Sequence, residues 1–174
     1  MTAKQMKYDS AAHEEFREGV EQLAKAVGTT LGPAGRNVVM QKSWGNPSVT
    51  KDGVSVAKEI ELSEPFQNMG AKMVQQVAKK TADVAGDGTT SATILADSIF
   101  RNGLRHVSVG ANLVTVQRGI TAASRVATDA VNAMAIDCKG KSDLQKVALV
   151  SSNHDEEIGN IIAEAINKVG GDGV

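Results

Sequence analysis

The sequence predicts a mainly α-helical protein with one small β-hairpin. Three observations carry this. Apolar residues recur at three-and-four spacing along most of the 174 residues, the pattern of one buried helical face. Only 3% of the residues are aromatic against 41% hydrophobic, so the core must be built from Ala, Val, Ile, Leu and Met, which suits close-packed helices. One pair of short β-prone runs flanks the turn Trp44-Gly45-Asn46-Pro47.

The first helix runs from Ser10 to Leu31, with Ala12, Phe16, Val20, Leu23, Ala24, Val27 and Leu31 on one face and Asp9 or Ser10 as its cap. Gly32-Pro33-Ala34-Gly35 ends it, since proline cannot continue the hydrogen-bond ladder. Arg36 to Lys42 reads as a strand, and Ser48-Val49-Thr50 as its returning partner. Asp52-Gly53 starts a short helix through Ile60. After Ser63-Glu64-Pro65, with proline in the first turn, a long helix places Phe66, Met69, Met73, Val77 and, less regularly, Val84 on its apolar side and stops at Gly86. A further helix covers Thr89 to Val109, with Gly110 as its stop. Leu113 to Met134 follows, striped by Val116, Ile120, Ala123, Ala127 and Val131. The polar stretch Asp137-Cys138-Lys139-Gly140-Lys141 marks a domain boundary. Two helices come after it, Ser142 to Val150 and Asp155 to Val169, the second carrying Ile158, Ile161, Ile162, Ala165, Ile166 and Val169. The chain then closes on Gly170-Gly171-Asp172-Gly173-Val174, a turn with no closing element, and is expected to be truncated.

Composition excludes several function classes. Nineteen basic and twenty acidic residues leave a net charge of −1, with no Lys/Arg cluster to attract nucleic acid or an anionic membrane. Apolar runs are too short for a membrane span, and Met1-Thr2-Ala3-Lys4-Gln5 has neither signal-peptide nor transit-peptide character, so a cytoplasmic location is expected. Cys138 stands alone and is expected to be a semi-buried structural thiol. His13, His106 and His154 are isolated, which argues against zinc. His154-Asp155-Glu156-Glu157 fits an acidic first turn of a helix better than a metal site.

The stretch that carries chemistry is Gly86-Asp87-Gly88-Thr89-Thr90-Ser91, between two helices. A helix N-terminus offers unpaired N–H groups and partial positive charge, and two glycines let an anion approach the backbone. Three hydroxyls add donors. Asp87 would repel a bare phosphate but suits one bridged by a divalent cation. The same residues also fit an ordinary capped turn, because Asp-Gly is a common turn pair and Asp or Thr a common N-cap. Lys51-Asp52-Gly53 is a second turn into a helix with a carboxylate, and with the Gly-Pro-x-Gly loop it would complete a multi-loop nucleotide pocket. Neither a Walker A loop nor a Gly-x-Gly-x-x-Gly turn occurs.

Taken together, Thr30-Leu31-Gly32-Pro33-Ala34-Gly35-Arg36-Asn37-Val38-Val39, Thr50-Lys51-Asp52-Gly53-Val54-Ser55-Val56-Ala57 and Ala85-Gly86-Asp87-Gly88-Thr89-Thr90-Ser91-Ala92-Thr93 resemble the group I chaperonins, the GroEL family, in order and spacing. The resemblance runs from about Ala3 to Val174. It implies that residues 1–134 are the N-terminal part of an equatorial ATP-binding domain and 135–174 the first leg of an intermediate hinge domain, with the apical domain absent. It also implies an ATP-driven chaperone subunit that works in a homo-oligomeric ring with a co-chaperonin on non-native polypeptides.

Carried over position by position, the resemblance makes Asp87 the Mg2+ ligand and Gly88, Thr89, Thr90 and Ser91 the phosphate cradle. Thr30, Leu31, Gly32 and Pro33 would line the ATP, Thr30 and Lys51 would lie near a K+ ion, and Asp52 would stand by the γ-phosphate in a supporting role. Two positions depart from the family pattern. Ser91 replaces the usual Thr and keeps the hydroxyl; Ala34 replaces the usual Lys, which bears on a surface or subunit contact. The family's general base belongs to a later leg of the chain, so these 174 residues alone are expected to hydrolyse no ATP and to assemble no ring. The rival expectation is a non-catalytic helical interaction module in which the Gly-Asp-Gly loop only caps a helix.

Overall fold

The computed structural model describes residues 4–42 and 44–170. In chain order the described residues form α1 (Asp9–Gly28), β1 (Val38–Met40), β2 (Ser48–Thr50), α2 (Gly53–Glu59), α3 (Pro65–Ala85), α4 (Thr89–Ser108), α5 (Leu113–Met134), α6 (Gly140–Ser151) and α7 (Glu156–Val169). The mainly helical class with one hairpin is as expected. β1 and β2 pair antiparallel, Val38 opposite Thr50, Val39 opposite Val49 and Met40 opposite Ser48. Contacts divide the chain into two compact units, one ending at Ala122 and one beginning at Ala123, so the division falls inside α5.

The core of the first unit lies among α1, α2 and α3. Val20, Leu23 and Val27 of α1 meet Val56 and Ala57 of α2 and Ala71, Val74 and Ala78 of α3. Small residues set the spacing. A Cβ at Gly19 would collide with the Gln67 backbone, and one at Gly70 with the Phe16 carbonyl, so the α1 and α3 backbones touch. This explains a difference from expectation. α3 turns its small face, Gly70, Ala71, Val74 and Ala78, to the core, while Met69, Met73 and Val84 are exposed. Apolar spacing puts the methionines on the inner side, but close helix approach selects the residues that leave room. Phe16 and Phe100, with ring centroids 5.6 Å apart, pack α1 against α4.

α1 ends at Gly28, three residues before the expected Leu31, because the chain itself satisfies the last carbonyls. Thr29 Oγ1 donates to the Ala26 carbonyl at 2.7 Å and Thr30 Oγ1 to the Val27 carbonyl at 2.8 Å. Its N-cap is Tyr8, without a side-chain hydrogen bond, rather than Asp9 or Ser10. The expected α5 stripe buries nothing: no residue of α5 is fully buried among the described residues.

In the second unit α6 packs on α7 through Ala148, Gly159 and Ala163. A Cβ at Gly159 would stand 3.0 Å from the Leu149 Cα, again a small-residue crossing, while Ile158, Ile161 and Val169 stay exposed. Asp155 caps α7 by accepting from the Ile158 N–H at 3.0 Å, as the acidic first turn implied. Cys138 is exposed, not semi-buried. The closing turn at 171–174 lies outside the described residues. Among the described residues, no helix is long and apolar enough to cross a membrane.

Candidate functional site

The two glycines of the Gly86–Ser91 stretch have backbone angles that side chains rarely adopt: φ is 74° at Gly86, the C-cap of α3, and 79° at Gly88, the N-cap of α4. Nothing stands within 4 Å of where a Cβ would lie on either, so both backbones face open space. The Gly86 N–H closes α3 on the Ala82 carbonyl at 3.0 Å, and the Ala92 N–H opens α4 on the Gly88 carbonyl at 2.9 Å. Between these bonds the N–H groups of Thr89, Thr90 and Ser91 have no acceptor among the described residues.

Asp87 does not cap this helix. One carboxylate oxygen accepts only the adjacent Gly88 N–H, at 2.6 Å, and the other has no hydrogen-bond partner among the described residues. Asp52 behaves differently. It accepts from the N–H groups of Val54 (3.3 Å) and Ser55 (3.0 Å) and from Ser55 Oγ (2.5 Å), the work of a true N-cap. Two aspartates in similar sequence contexts thus have opposite local roles. α4 is left with an open, electropositive end beside a free carboxylate oxygen.

The structure brings two of the three sequence blocks directly onto this end. Thr90 Oγ1 lies 3.4 Å from Thr30 Oγ1, and a Cβ at Gly53 would collide with Thr90 Oγ1. Thr89 is buried, Thr90 half-buried and Ser91 exposed, so the three hydroxyls run from core to surface along one helical turn. Behind them the Thr93 hydroxyl is buried and donates to the Thr89 carbonyl at 2.8 Å. The loop holding Leu31, Gly32 and Pro33 is closed by Gly35 N–H to Gly32 O (2.9 Å) and Arg36 N–H to Thr29 O (2.8 Å). Asp52 is tied back to the hairpin by its own N–H, which donates to Thr50 Oγ1 at 3.0 Å. Lys51 is exposed and, among the described residues, makes no ion pair or side-chain hydrogen bond; no hydrogen bond or ion pair joins the Lys51 or Asp87 side chain to the other blocks among those residues.

The described residues contain no cluster of three His, Cys, Asp or Glu able to hold a metal by themselves. The arrangement nevertheless fits a Mg2+ shared with phosphate oxygens, which needs only one or two protein carboxylates, and Asp87 has an oxygen to give. The displaced carboxylates lie elsewhere. Glu14, Glu61, Asp143 and Glu164 are held below their ordinary values on the surface, chiefly by hydrogen bonds from Arg17, Lys72, the Lys139 N–H and Lys168 respectively. An apolar groove of about 580 Å³ between α4 and α5, lined by Leu104, Val107, Leu113, Val116 and Ile120 among others, sits toward the opposite end of α4 and offers little polar chemistry.

Sequence reasoning placed the Gly86–Ser91 turn and the Asp52 turn, but it missed Gly53 as part of the site. Gly53 read as half of an Asp-Gly helix start. Its tight approach to Thr90 depends on how α2 packs against α4, which no local signal reveals.

Residues 23–172 match the family model for the TCP-1/cpn60 chaperonin family. Among solved structures, a group III chaperonin in the open state is similar, with a TM-score of 0.75 and 26% identity over 91% of this chain and 32% of that one. The chaperonin gp146 from bacteriophage EL 2 (Pseudomonas aeruginosa), solved in the presence of ATP-BeFx, is similar with a TM-score of 0.76 and 26% identity over 94% of this chain and 29% of that one. The residues here span about a third of the length of these chaperonins.

Proposed function

Because the chain belongs to the TCP-1/cpn60 chaperonin family, we propose that it carries the metal- and phosphate-binding half of the ATP site of an ATP-dependent molecular chaperone. The observation that carries this reading is the uncapped start of α4, where three N–H groups have no acceptor among the described residues and the neighbouring Asp87 leaves them free. An anion seat needs that opening, whereas a helix whose aspartate merely capped it would resemble α2. The helical-module reading is therefore the weaker one.

In this proposal the N–H groups and hydroxyls of Thr89, Thr90 and Ser91, with the Gly88 backbone, bind phosphate oxygens. Asp87 orients a Mg2+, which when bound neutralises charge building up on the phosphates. Thr30, Leu31, Gly32 and Pro33 line the nucleotide, Thr30 and Lys51 lie near K+, and Asp52 faces the γ-phosphate end. Residues 1–134 would belong to an equatorial domain and 135–174 to an intermediate domain, of the group I type that the three sequence blocks resemble. Ring assembly, a co-chaperonin, non-native polypeptide substrates and a cytoplasmic location complete the proposal.

The test is calorimetric titration of the full-length protein with ATP, with and without Mg2+. Binding that requires Mg2+ in the wild type and disappears in Asp87→Ala is expected. Equal binding by the two proteins would remove Asp87 from the site.

A further inference from the structure

We infer that Gly53 is a positioning residue for the nucleotide site, because its missing side chain is what lets the Thr90 hydroxyl stand against that of Thr30. This rests on the proposed site at Gly86–Ser91 and names a residue that the motif does not contain.

Gly53 is the first residue of α2 and is buried. It is not among the glycines with positive φ, so its backbone conformation does not call for glycine. Space does. A Cβ there would collide with Thr90 Oγ1 and lie 3.3 Å from both the Thr90 Cβ and the Val27 Cγ1. Val27 is fully buried in the core and has nowhere to retreat. α2 is equally fixed, since Val56 and Ala57 behind Gly53 are fully buried. The Thr90 side chain must therefore yield, by turning its hydroxyl away or by carrying the first turn of α4 outward. Either movement breaks the 3.4 Å approach of Thr90 Oγ1 to Thr30 Oγ1 and displaces a hydroxyl of the phosphate cradle.

Other tightly packed glycines meet backbone rather than a side-chain oxygen: Gly35 packs on the Thr30 and Gly32 carbonyls of the nucleotide loop. Gly19 and Gly70 touch helix backbones, so a methyl group there strains the core without touching a site hydroxyl. Gly53 instead meets the oxygen of a side chain proposed to bind ligand. The consequence is an interaction between positions 53 and 90 that depends on one atom.

The experiment is a double-mutant cycle in the full-length protein, reading Mg-ATP affinity and thermal midpoint for wild type, Gly53→Ala, Thr90→Ala and the double variant. Gly53→Ala is expected to weaken Mg-ATP binding roughly tenfold, the scale of one lost hydrogen-bonding contact. In the Thr90→Ala background, where the offending oxygen is gone, the same methyl group is expected to change affinity less than about twofold. An equal loss in both backgrounds, or no loss in either, overturns the inference and leaves the nucleotide site standing. A wild-type protein that binds no Mg-ATP overturns the site itself. If Gly53→Ala does not fold, the thermal midpoint decides: a double variant as stable as Thr90→Ala supports the inference, and an unfolded double variant overturns it.

Discussion

The hydroxyl oxygens of Thr30 and Thr90 stand 3.4 Å apart across 60 positions of sequence. Thr30 Oγ1 also donates to the Val27 carbonyl at 2.8 Å, so its own proton is committed and its lone pairs face Thr90. An oxygen whose proton is committed in this way suits a monovalent cation better than an anion, which fits the K+ proposed near Thr30 and Lys51 and leaves the Thr90 hydroxyl to the phosphate. Thr30→Val keeps the shape and removes the oxygen. The expected result in the full-length protein is ATP turnover that no longer differs between potassium and sodium buffers, with a stability loss of about 1 kcal/mol from the missing hydrogen bond. A full potassium preference in Thr30→Val would place the ion elsewhere.

Asp87 and Asp52 should separate function from stability. Among the described residues Asp87 supports no helix hydrogen bond beyond the adjacent Gly88 N–H, so Asp87→Ala in the full-length protein is expected to leave the thermal midpoint nearly unchanged while turnover falls by about 10²–10³-fold, the ~3 kcal/mol scale of one strong electrostatic contact. Asp52→Ala removes a cap and should cost about 1 kcal/mol of stability. Asp52→Asn keeps an oxygen for the cap. The variant removes the charge and one of two accepting oxygens, so its thermal midpoint is read beside its turnover, and wild-type turnover would make Asp52 a purely structural residue.

What was legible in the sequence was mostly punctuation. Glycine, proline and aspartate at element ends set the hairpin, the start of α2 and the stop of α3, because glycine and proline act through their own backbone and Asp52 through its side-chain cap, while the apolar stripe set the length of α5. Burial was less legible. Met69 and Met73 look like core by apolar spacing, yet Gly70, Ala71, Val74 and Ala78 are the face that α1 touches. That choice follows from Gly19 meeting the Gln67 backbone and Gly70 the Phe16 backbone, across a crossing that joins distant parts of the chain. The site divides in the same way: Gly86–Ser91 announced itself, while the dependence of Thr90 on Gly53 exists only after α2 and α4 have packed.

The start of α6 should be sensitive to acid. Asp143 accepts the Lys139 N–H at 3.1 Å and pairs with Lys146 at 3.1 Å, and these contacts, the backbone bond first, hold its carboxyl below its ordinary value of 3.8. A depressed carboxyl pKa stabilises the fold above the unfolded-state value, and that contribution is lost as pH falls through the folded-state value. Amide exchange in the first turn of α6 is therefore expected to accelerate below about pH 4. In Asp143→Ala it should already be fast at neutral pH. An acid response as steep in the variant as in the wild type would assign it to another group.

The small-residue crossing makes a prediction in which one substitution has opposite signs at two places. Gly70 and Gly103 both lie inside helices, α3 and α4, where alanine is intrinsically favoured by roughly 0.5–1 kcal/mol. At Gly103 an added Cβ would meet only Ile120 Cδ1 at 3.5 Å and Val116 Cγ1 at 3.8 Å, ordinary contacts with flexible side chains. Gly103→Ala should therefore raise stability by about that intrinsic amount. At Gly70 the same methyl group would collide with the Phe16 carbonyl, which belongs to the backbone of α1 and cannot turn aside. Gly70→Ala should lower stability by about 1–3 kcal/mol, the usual cost of overpacking a core, and push α1 off α3. Urea midpoints of the two variants measure both effects. A stabilising Gly70→Ala would mean that α1 and α3 are not in backbone contact, and the small-residue face would lose its explanation.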